Sequence, residues 1–362
     1  MQIISDYTND IRSEKKEPGS YEWWYFDGLS TDGKYGFTII FYEGNPFSRR
    51  YLTSHSVNGG QQTLASRFPA ISITIYDNGS PVYYSFNEHR PEDAEFSSEQ
   101  VYGRTGKCAF SVEVSDEKLN YFLILEQELP NGDSISGNLT FTSSPIQLSG
   151  FSVGEGDFIS EGEPHQWNLV QPSADVKGEL IIEGFQKHHF EFAGQGYHDH
   201  NLGLEPMDES FVDWYWGRVH FDSMTLVYYI MKKKSGDQKQ AWIIGKDGRL
   251  RSVDESIRLL DRSFSLFGLN SARKIELKGG GFECLIQKDS VIDNGPFYQR
   301  FLTRAILHDG SRVHQAQGIS EYIYPKRIKS RVFWPLVNMR IIYQAEKAHW
   351  VQKSPKLYRW TW

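Results

Sequence analysis

The sequence lacks the features that identify several common protein classes. It has only two cysteines, Cys108 and Cys284, among its 362 residues, which excludes a disulfide framework and is typical of a reducing compartment. No run reaches the roughly 18 apolar residues of a membrane-spanning helix, and the first residues do not have the pattern of a signal peptide. We therefore expect a soluble, cytoplasmic protein, and peripheral contact with a membrane surface stays open.

Charge and motif content exclude further functions. The formal net charge of -7 offers no concentrated basic surface, so we expect no nucleic-acid partner. The sequence also has no glycine-rich nucleotide loop, no Gly-x-Ser-x-Gly element and no paired Cys-x-x-Cys elements. These absences remove common nucleotide-binding, hydrolase and structural-zinc functions, while the oligomeric state is not indicated.

Aromatic residues are abundant, with 23 Phe, 20 Tyr and 10 Trp, and they favour strands and apolar ligand cavities. Short runs of β-branched and aromatic residues alternate with Asn-Gly or Asp-Gly turns, which supply the positive φ angles of tight hairpins. Helical periodicity is almost absent, apart from a short piece near 208–211. The pattern predicts an all-β protein of antiparallel meanders, built as barrels or sandwiches. The turns lie at 31–34, 77–80, 130–133, 246–249 and 308–311.

The length suits two domains or one large all-β unit. A glycine-bracketed polar cluster interrupts the strand pattern between residues 190 and 205, and a second series of aromatic strands follows it. We therefore predict an N-terminal β-domain over residues 1–195 and a C-terminal β-domain over residues 196–362.

The polar cluster itself is the strongest candidate site. In an extended chain side chains alternate between faces, so Tyr197, Asp199 and Asn201 would point one way while His198 and His200 point the other. The upstream pair His165 and Trp167 has the same spacing of two. Two such pairs on neighbouring strands would form an acid/base pocket with an aromatic wall. A carboxyl group desolvated in such a pocket would have a raised pKa and could donate a proton.

Other interpretations of the same residues stay open. Asp199 could cap a turn, and His165 and Trp167 could be core residues. His198 and His200, together with Glu205, resemble part of a cupin metal site, but the rest of that pattern is missing. We therefore predict no metal ligands.

Several motifs together resemble the carotenoid 1,2-hydratase (hydroxyneurosporene synthase) superfamily, which includes AttH-like proteins and lipocalin-type Diels-Alderases. The resemblance implies two consecutive lipocalin-like antiparallel β-domains that enclose a cavity for a hydrophobic small molecule, with no cofactor required. The motifs are 22–28 (EWWYFDG), 165–167 (HQW), 172–178 (PSADVKG), 196–201 (GYHDHN) and 318–322 (GISEY).

The resemblance also implies catalytic roles. Asp199 would be the acid, Tyr197 its hydrogen-bonded partner, His165 the base or water-positioning residue, and Trp167 a wall that stabilises a cation. The expected reaction is acid-assisted hydration or cyclisation of an isoprenoid or polyketide-type molecule. A pericyclase that templates a polyene and a non-catalytic carrier of a hydrophobic ligand are the alternatives. We expect the substrate site to be lined by Glu22, Trp24, Asn201, Trp214 and Trp216.

Overall fold

Two large β-sheets dominate the computed structural model, which describes residues 1–57, 64–145, 148 and 164–362. All neighbouring strands within these ranges pair antiparallel, except β1 with β11 and β22 with β5. The strands of the first sheet, in spatial order, are β22 (Ile342–Tyr343), β5 (Ser80–Glu88), β4 (Ala70–Asp77), β3 (Tyr35–Glu43), β2 (Tyr21–Ser30), β12 (His188–Gly203), β11 (His165–Glu183), β10 (Ser134–Ser143), β9 (Leu119–Glu128), β8 (Cys108–Val114), β7 (Tyr102–Thr105) and β6 (Ala94–Phe96), with β1 (Gln2–Ile4) beside β11.

The second sheet is formed by consecutive hairpins. Its strands, in spatial order, are β16 (Leu250–Ser252), β15 (Gly236–Gly245), β14 (Met224–Lys233), β13 (Phe211–Phe221), β21 (Arg312–Ile323), β20 (Tyr298–Asp309), β19 (Phe282–Asn294), β18 (Asn270–Gly279) and β17 (Ser256–Phe264). The α-helices in the described part of the chain are short: α1 (Arg49–Val57), α2 (Met207–Ser210), α3 (Trp334–Arg340) and α4 (Pro355–Arg359). None of them is long and apolar enough to cross a membrane.

The predicted turns connect neighbouring strands, as their sequences indicate. At the β4–β5 turn, Asn78 and Gly79 have φ angles of 49° and 73°, the left-handed conformation that Asn-Gly provides at low cost. The remaining four predicted turns join β2 to β3, β9 to β10, β15 to β16 and β20 to β21. The prediction of an all-β fold built from hairpins is therefore confirmed.

The chain divides into two compact units that differ in their bounds from the sequence-based domains. Of the described residues, the first unit contains those up to Met207 apart from Leu148, and those from Arg331 onward; the second contains Leu148 and Asp208–Ser330. The C-terminal segment returns to the first unit because β22 pairs with β5. The polar cluster does not interrupt the strand pattern, since it lies within the continuous strand β12.

The first sheet curls so that one of its faces encloses a core. Phe26 on β2 contacts Phe110, Tyr121 and Phe141 on β8, β9 and β10, with ring centroids 5.5–6.0 Å apart, although those strands are remote from β2 in the sheet order. We call the face that carries Phe26 the inner face and the opposite face, which carries Tyr25, the outer face. The second unit has its own core, which includes Val219, Phe221, Leu226, Ala272, Leu277 and Leu307.

Candidate active site

The outer faces of β11 and β12 bring four of the predicted catalytic side chains together. Tyr197 Oη and Trp167 Nε1 each donate a hydrogen bond to Asp199 Oδ2, both at 2.7 Å. Asn201 Nδ2 donates to Asp199 Oδ1 at 2.8 Å, and His165 lies 3.3 Å from the Asn201 oxygen. All five side chains are buried. The alternation of residues on the two strands therefore places the side chains on one face, as their spacing predicts.

Strand register explains why these groups meet. In the ladder between β11 and β12, Trp167 lies opposite Asn201 and Leu169 lies opposite Asp199. Trp167 is therefore diagonal to Asp199, a spacing that a long aromatic side chain can bridge. On the other side, β12 pairs with β2, which places Tyr25 opposite Asp199. Central strands on both sides thus hold the carboxylate at a fixed position.

Tyr21 extends the cluster and was missed by the sequence analysis. Its hydroxyl group lies 3.2 Å from His165 Nδ1, and it donates this hydrogen bond when the imidazole carries its proton on Nε2, the tautomer that can donate to Asn201 Oδ1. The Tyr21 ring crosses Gly203, where an added Cβ would lie only 2.2 Å from a ring carbon. Glycine at 203 therefore permits a hydrogen-bonded chain that runs from Tyr21 through His165 and Asn201 to Asp199.

Asp199 accepts hydrogen bonds on both of its oxygens. An ionised carboxylate accepts only, so the three donors, Trp167, Tyr197 and Asn201, match the ionised form. The side-chain amide of Asn201 can be reversed without changing its shape. Reversal would turn its oxygen towards Asp199, where it accepts a hydrogen bond from the neutral carboxyl group, and its amino group towards His165 Nε2, which must then carry no proton. The cluster can thus accommodate either protonation state of Asp199.

A second carboxylate lies on the same face and was also not predicted. Asp27 on β2 is fully buried and accepts a hydrogen bond of 2.9 Å from the hydroxyl group of Tyr25. The Tyr25 ring packs edge-on against Tyr197, with centroids 6.2 Å apart. The sequence signal was its position in the 22–28 motif, where it follows Tyr25 by two residues.

His198 and His200 point to the inner face and form a different network. His198 Nε2 lies 2.9 Å from Asp10 Oδ2, and His200 Nδ1 lies 3.1 Å from Asp10 Oδ1. His200 Nε2 also lies 2.9 Å from Glu22 Oε1, and Lys15 forms buried ion pairs with both Glu22 and Glu43. The N-terminal segment is therefore attached to the back of the strand that carries Asp199.

The structure does not bring Glu22 and Trp24 to the Asp199 cluster. They alternate with Tyr21, Trp23 and Tyr25 along β2, so they face the inner core. Trp24 stacks on His200 with ring centroids 4.6 Å apart, and Glu22 pairs with Lys15 and His200. Their predicted role in substrate binding stays a prediction.

Trp214 and Trp216 belong to the second unit. Both are buried on β13, and Trp214 packs edge-on against Phe211 with ring centroids 4.9 Å apart. They alternate with Tyr215, which lies in the core of the second unit, so they occupy the opposite face of β13. Their assignment to the substrate site also stays a prediction.

No group of three or more potential ligands in the described ranges is arranged to hold a metal ion. The two histidines of the cupin-like pattern, His198 and His200, are bonded to Asp10 and Glu22 instead. The prediction that neither metal nor cofactor is needed is left to experiment.

The inner network shifts the pKa values of its members. Burial alone would raise the pKa of Asp10, but the imidazoles of His198 and His200 lower it to about 2. Burial would likewise lower the pKa of His200, but hydrogen bonds and charge from Asp10 and Glu22 raise it to about 9. At neutral pH His200⁺ is therefore paired with the carboxylates of Asp10 and Glu22, while Lys15 is paired with those of Glu22 and Glu43.

We expect these shifts to make the stability of the protein pH-dependent. Because the folded pKa of His200 is raised from 6.5 to about 9, its contribution is fully present below about pH 6.5 and is lost as the pH rises through 9. The contribution of Asp10 to stability is present above its unfolded pKa near 4 and is lost as the pH falls towards 2. The temperature at the midpoint of thermal unfolding should decrease as the pH is raised from 6.5 to 9.5. Asp10→Asn should remove part of this dependence and, as breaking a buried pair does, cost about 3–5 kcal/mol.

The matched control for this measurement is Asp116→Asn, which makes the same chemical change at an exposed position. Its unfolding midpoint should follow that of the unmodified protein at every pH. Parallel pH profiles for Asp10→Asn and the unmodified protein would contradict the assignment.

Comparison with known proteins adds evidence from whole sequences. The sequence model of a family described as "Carotenoid hydratase CrtC" matches residues 116–350. A protein named hydroxyneurosporene dehydrogenase from Chlorobaculum tepidum is 29% identical over 92% of this chain and 90% of its own length. An acyclic carotenoid 1,2-hydratase from Rubrivivax gelatinosus is 25% identical over 80% of this chain and 66% of its own length.

Two solved structures share the fold. A putative AttH from Nitrosomonas europaea superposes with a TM-score of 0.59 at 18% identity, covering 84% of this chain and 92% of its own. CghA, crystallised with Sch210972, superposes with a TM-score of 0.56 at 12% identity, covering 89% and 98%. These likenesses confirm the all-β, lipocalin-like fold that the sequence predicts.

Proposed function

Because this chain belongs to the carotenoid hydratase CrtC family, we propose that it is a hydratase that adds water to a carbon–carbon double bond of an acyclic carotenoid or a similar unsaturated hydrophobic molecule. Among its relatives is an enzyme named acyclic carotenoid 1,2-hydratase. The observation that carries the proposal is the buried Asp199 cluster, in which an acid, an imidazole and an indole are joined by hydrogen bonds. No reactive nucleophile or metal is needed for this chemistry.

The proposed reaction begins with proton transfer from neutral Asp199 to the alkene. The π electrons of the double bond form the new C–H bond, which leaves a tertiary carbocation and an Asp199 carboxylate. The electron-rich indole face of Trp167 would stabilise that cation, and the donors Tyr197 and Trp167 would stabilise the carboxylate as its charge develops. The hydrogen bonds from Tyr197 and Trp167 to Asp199 are therefore the ones that would stabilise the carboxylate after proton transfer.

Water then captures the cation and loses a proton. In the proposal His165 orients the water or accepts its proton, and the released proton returns to Asp199. Asn201 lies between His165 and Asp199 and is hydrogen-bonded to both. Its side-chain amide would therefore reverse when Asp199 gains or loses its proton. The sum of the steps is addition of one water molecule to one double bond, which consumes no cofactor.

The decisive experiment is incubation of the protein with lycopene, an acyclic carotenoid, in deuterated water enriched in ¹⁸O and containing a chelator. A hydratase should give a product with one deuterium on carbon and one ¹⁸O in a new hydroxyl group, as mass spectrometry would show. A cyclisation started by acid would introduce deuterium without ¹⁸O. Recovery of unlabelled product would support a pericyclase, and recovery of bound but unchanged ligand would support a carrier.

A further inference from the structure

The hairpin between β17 and β18 exposes large apolar side chains at its tip. Phe264 is 76% exposed and Leu266 is 88% exposed. Phe264 is the last residue of β17, and Leu266 lies in the short turn, residues 265–269, that connects β17 to β18 in the second unit. Large apolar side chains clustered at such exposure on a soluble protein mark an interaction site.

The turn is held in place by hydrogen bonds. Ser265 N donates to Leu269 O at 2.8 Å, and the Ser265 hydroxyl accepts from Leu269 N at 3.0 Å. The guanidinium group of Arg327 donates to the carbonyl oxygens of Phe267 and Gly268 at 2.6 and 2.9 Å. Leu269 anchors the base of the turn in the core. The exposed Phe264 and Leu266 are thus presented by an ordered loop.

Positive charge surrounds this apolar tip. The segments 262–274 and 325–330 contain six lysine or arginine residues and no acidic residue, in a chain whose net charge is -7. Lys274 pairs with Asp261, and Lys329 pairs with Asp208, both at 2.8 Å. A surplus of positive charge remains, and Arg262, Arg273 and Lys326 are all exposed.

We propose that the β17–β18 hairpin docks the protein on an anionic lipid membrane, with Phe264 and Leu266 inserted among the lipids and the surrounding cations held at the headgroups. An apolar anchor combined with basic residues is the pairing that gives stable, reversible membrane binding. An anionic membrane offers a partner for both features, since its acyl chains can receive the apolar tip while its headgroups attract the surrounding cations. This inference concerns a surface and does not depend on the proposed reaction.

Co-sedimentation of the full chain with vesicles tests the proposal. Vesicles of phosphatidylcholine with phosphatidylglycerol should bind the protein, vesicles of phosphatidylcholine alone should bind it less, and 0.5 M salt should weaken binding by screening. In the double variant Phe264→Ser/Leu266→Ser the affinity for anionic vesicles should be lower by about tenfold or more, because the two apolar side chains that would be buried among the lipids are absent. The matched control Val291→Ser/Val313→Ser removes two valines of the same sheet that are 50% and 55% exposed, and should bind normally.

Absence of binding by the unmodified protein, or equal binding by the Phe264→Ser/Leu266→Ser variant, would overturn the proposal. Thermal unfolding of each variant would show that the fold is retained. The single variant Phe264→Tyr, which keeps the aromatic ring and leaves Leu266 unchanged, should retain most of the binding. Turnover of a detergent-solubilised carotenoid should be the same in the hairpin variant and the unmodified protein. Failure of the proposed reaction would therefore appear in the detergent assay, whereas failure of the docking proposal would appear only in the vesicle assay.

Discussion

Asp199→Asn should lower the rate of hydration by roughly 10²-fold or more, the usual scale for loss of a general acid, while substrate binding stays nearly unchanged. The amide preserves the shape of the side chain and can still accept from Tyr197 and Trp167 through its oxygen. It cannot supply a proton. The effect should therefore appear in kcat and not in the dissociation constant, which fluorescence quenching of the buried tryptophans would measure separately.

The control for this substitution is Asp133→Asn. Asp133 is also buried in the first unit, but it lies next to Ser134, which pairs with Glu183 at the opposite end of β11 from Leu169 and Asp199. The Asp133→Asn variant should therefore have the same kcat as the unmodified protein. Full turnover by Asp199→Asn, or a loss that follows substrate affinity alone, would remove Asp199 as the acid and favour a templating mechanism.

His165→Gln should lower kcat by about 10²-fold, within the range for a positioned base, and the double variant with Asp199→Asn should be little worse than Asp199→Asn alone. The reason is that Asn201 connects the two side chains, so they are expected to act as one unit, and effects within a unit are not additive. Glutamine retains polarity at position 165 but does not accept a proton. The measurement is a double-mutant cycle on kcat with a carotenoid substrate.

His189→Gln is the matched control for the histidine substitution, because His189 is an exposed residue of β12, the strand that pairs with the β11 strand of His165, and its partner is Glu179. It should have no effect on turnover. Strictly additive losses for His165→Gln and Asp199→Asn would show that the two groups contribute independently and that the connection through Asn201 is not used.

Much of the candidate site could be predicted from local patterns. The period of two on β11 and β12 predicted that His165, Trp167, Tyr197 and Asp199 share a face, because alternation is a property of the extended backbone itself. The family resemblance, which rested on the order of several motifs, is confirmed by the family match. The hairpin turns were predicted for the same local reason, since Asn-Gly and Asp-Gly fix the backbone of a few residues.

What could not be predicted depends on contacts between distant parts of the chain. The partner of His198 and His200 is Asp10, from a segment near the N-terminus that has no motif. Glu22 and Trp24 alternate correctly along β2, but the sequence does not say which face of that strand meets Asp199. The domain bounds differ because the C-terminal segment pairs with β5 through only two residues of β22, Ile342 and Tyr343, too short a strand to be recognised.

The path of the chain through the two units has a consequence for folding. Apart from Leu148, the described residues of the second unit run from Asp208 to Ser330, and an ion pair of 2.8 Å joins Asp208 near the start of this stretch to Lys329 near its end. This stretch is thus inserted between two segments of the first unit, and the side chains near its two ends are in contact. Once it has folded, the long loop between β12 and the C-terminal segment is closed, and the entropy of that closure no longer opposes pairing of β22 with β5. Folding of the second unit should therefore make the pairing of β22 with β5 more favourable.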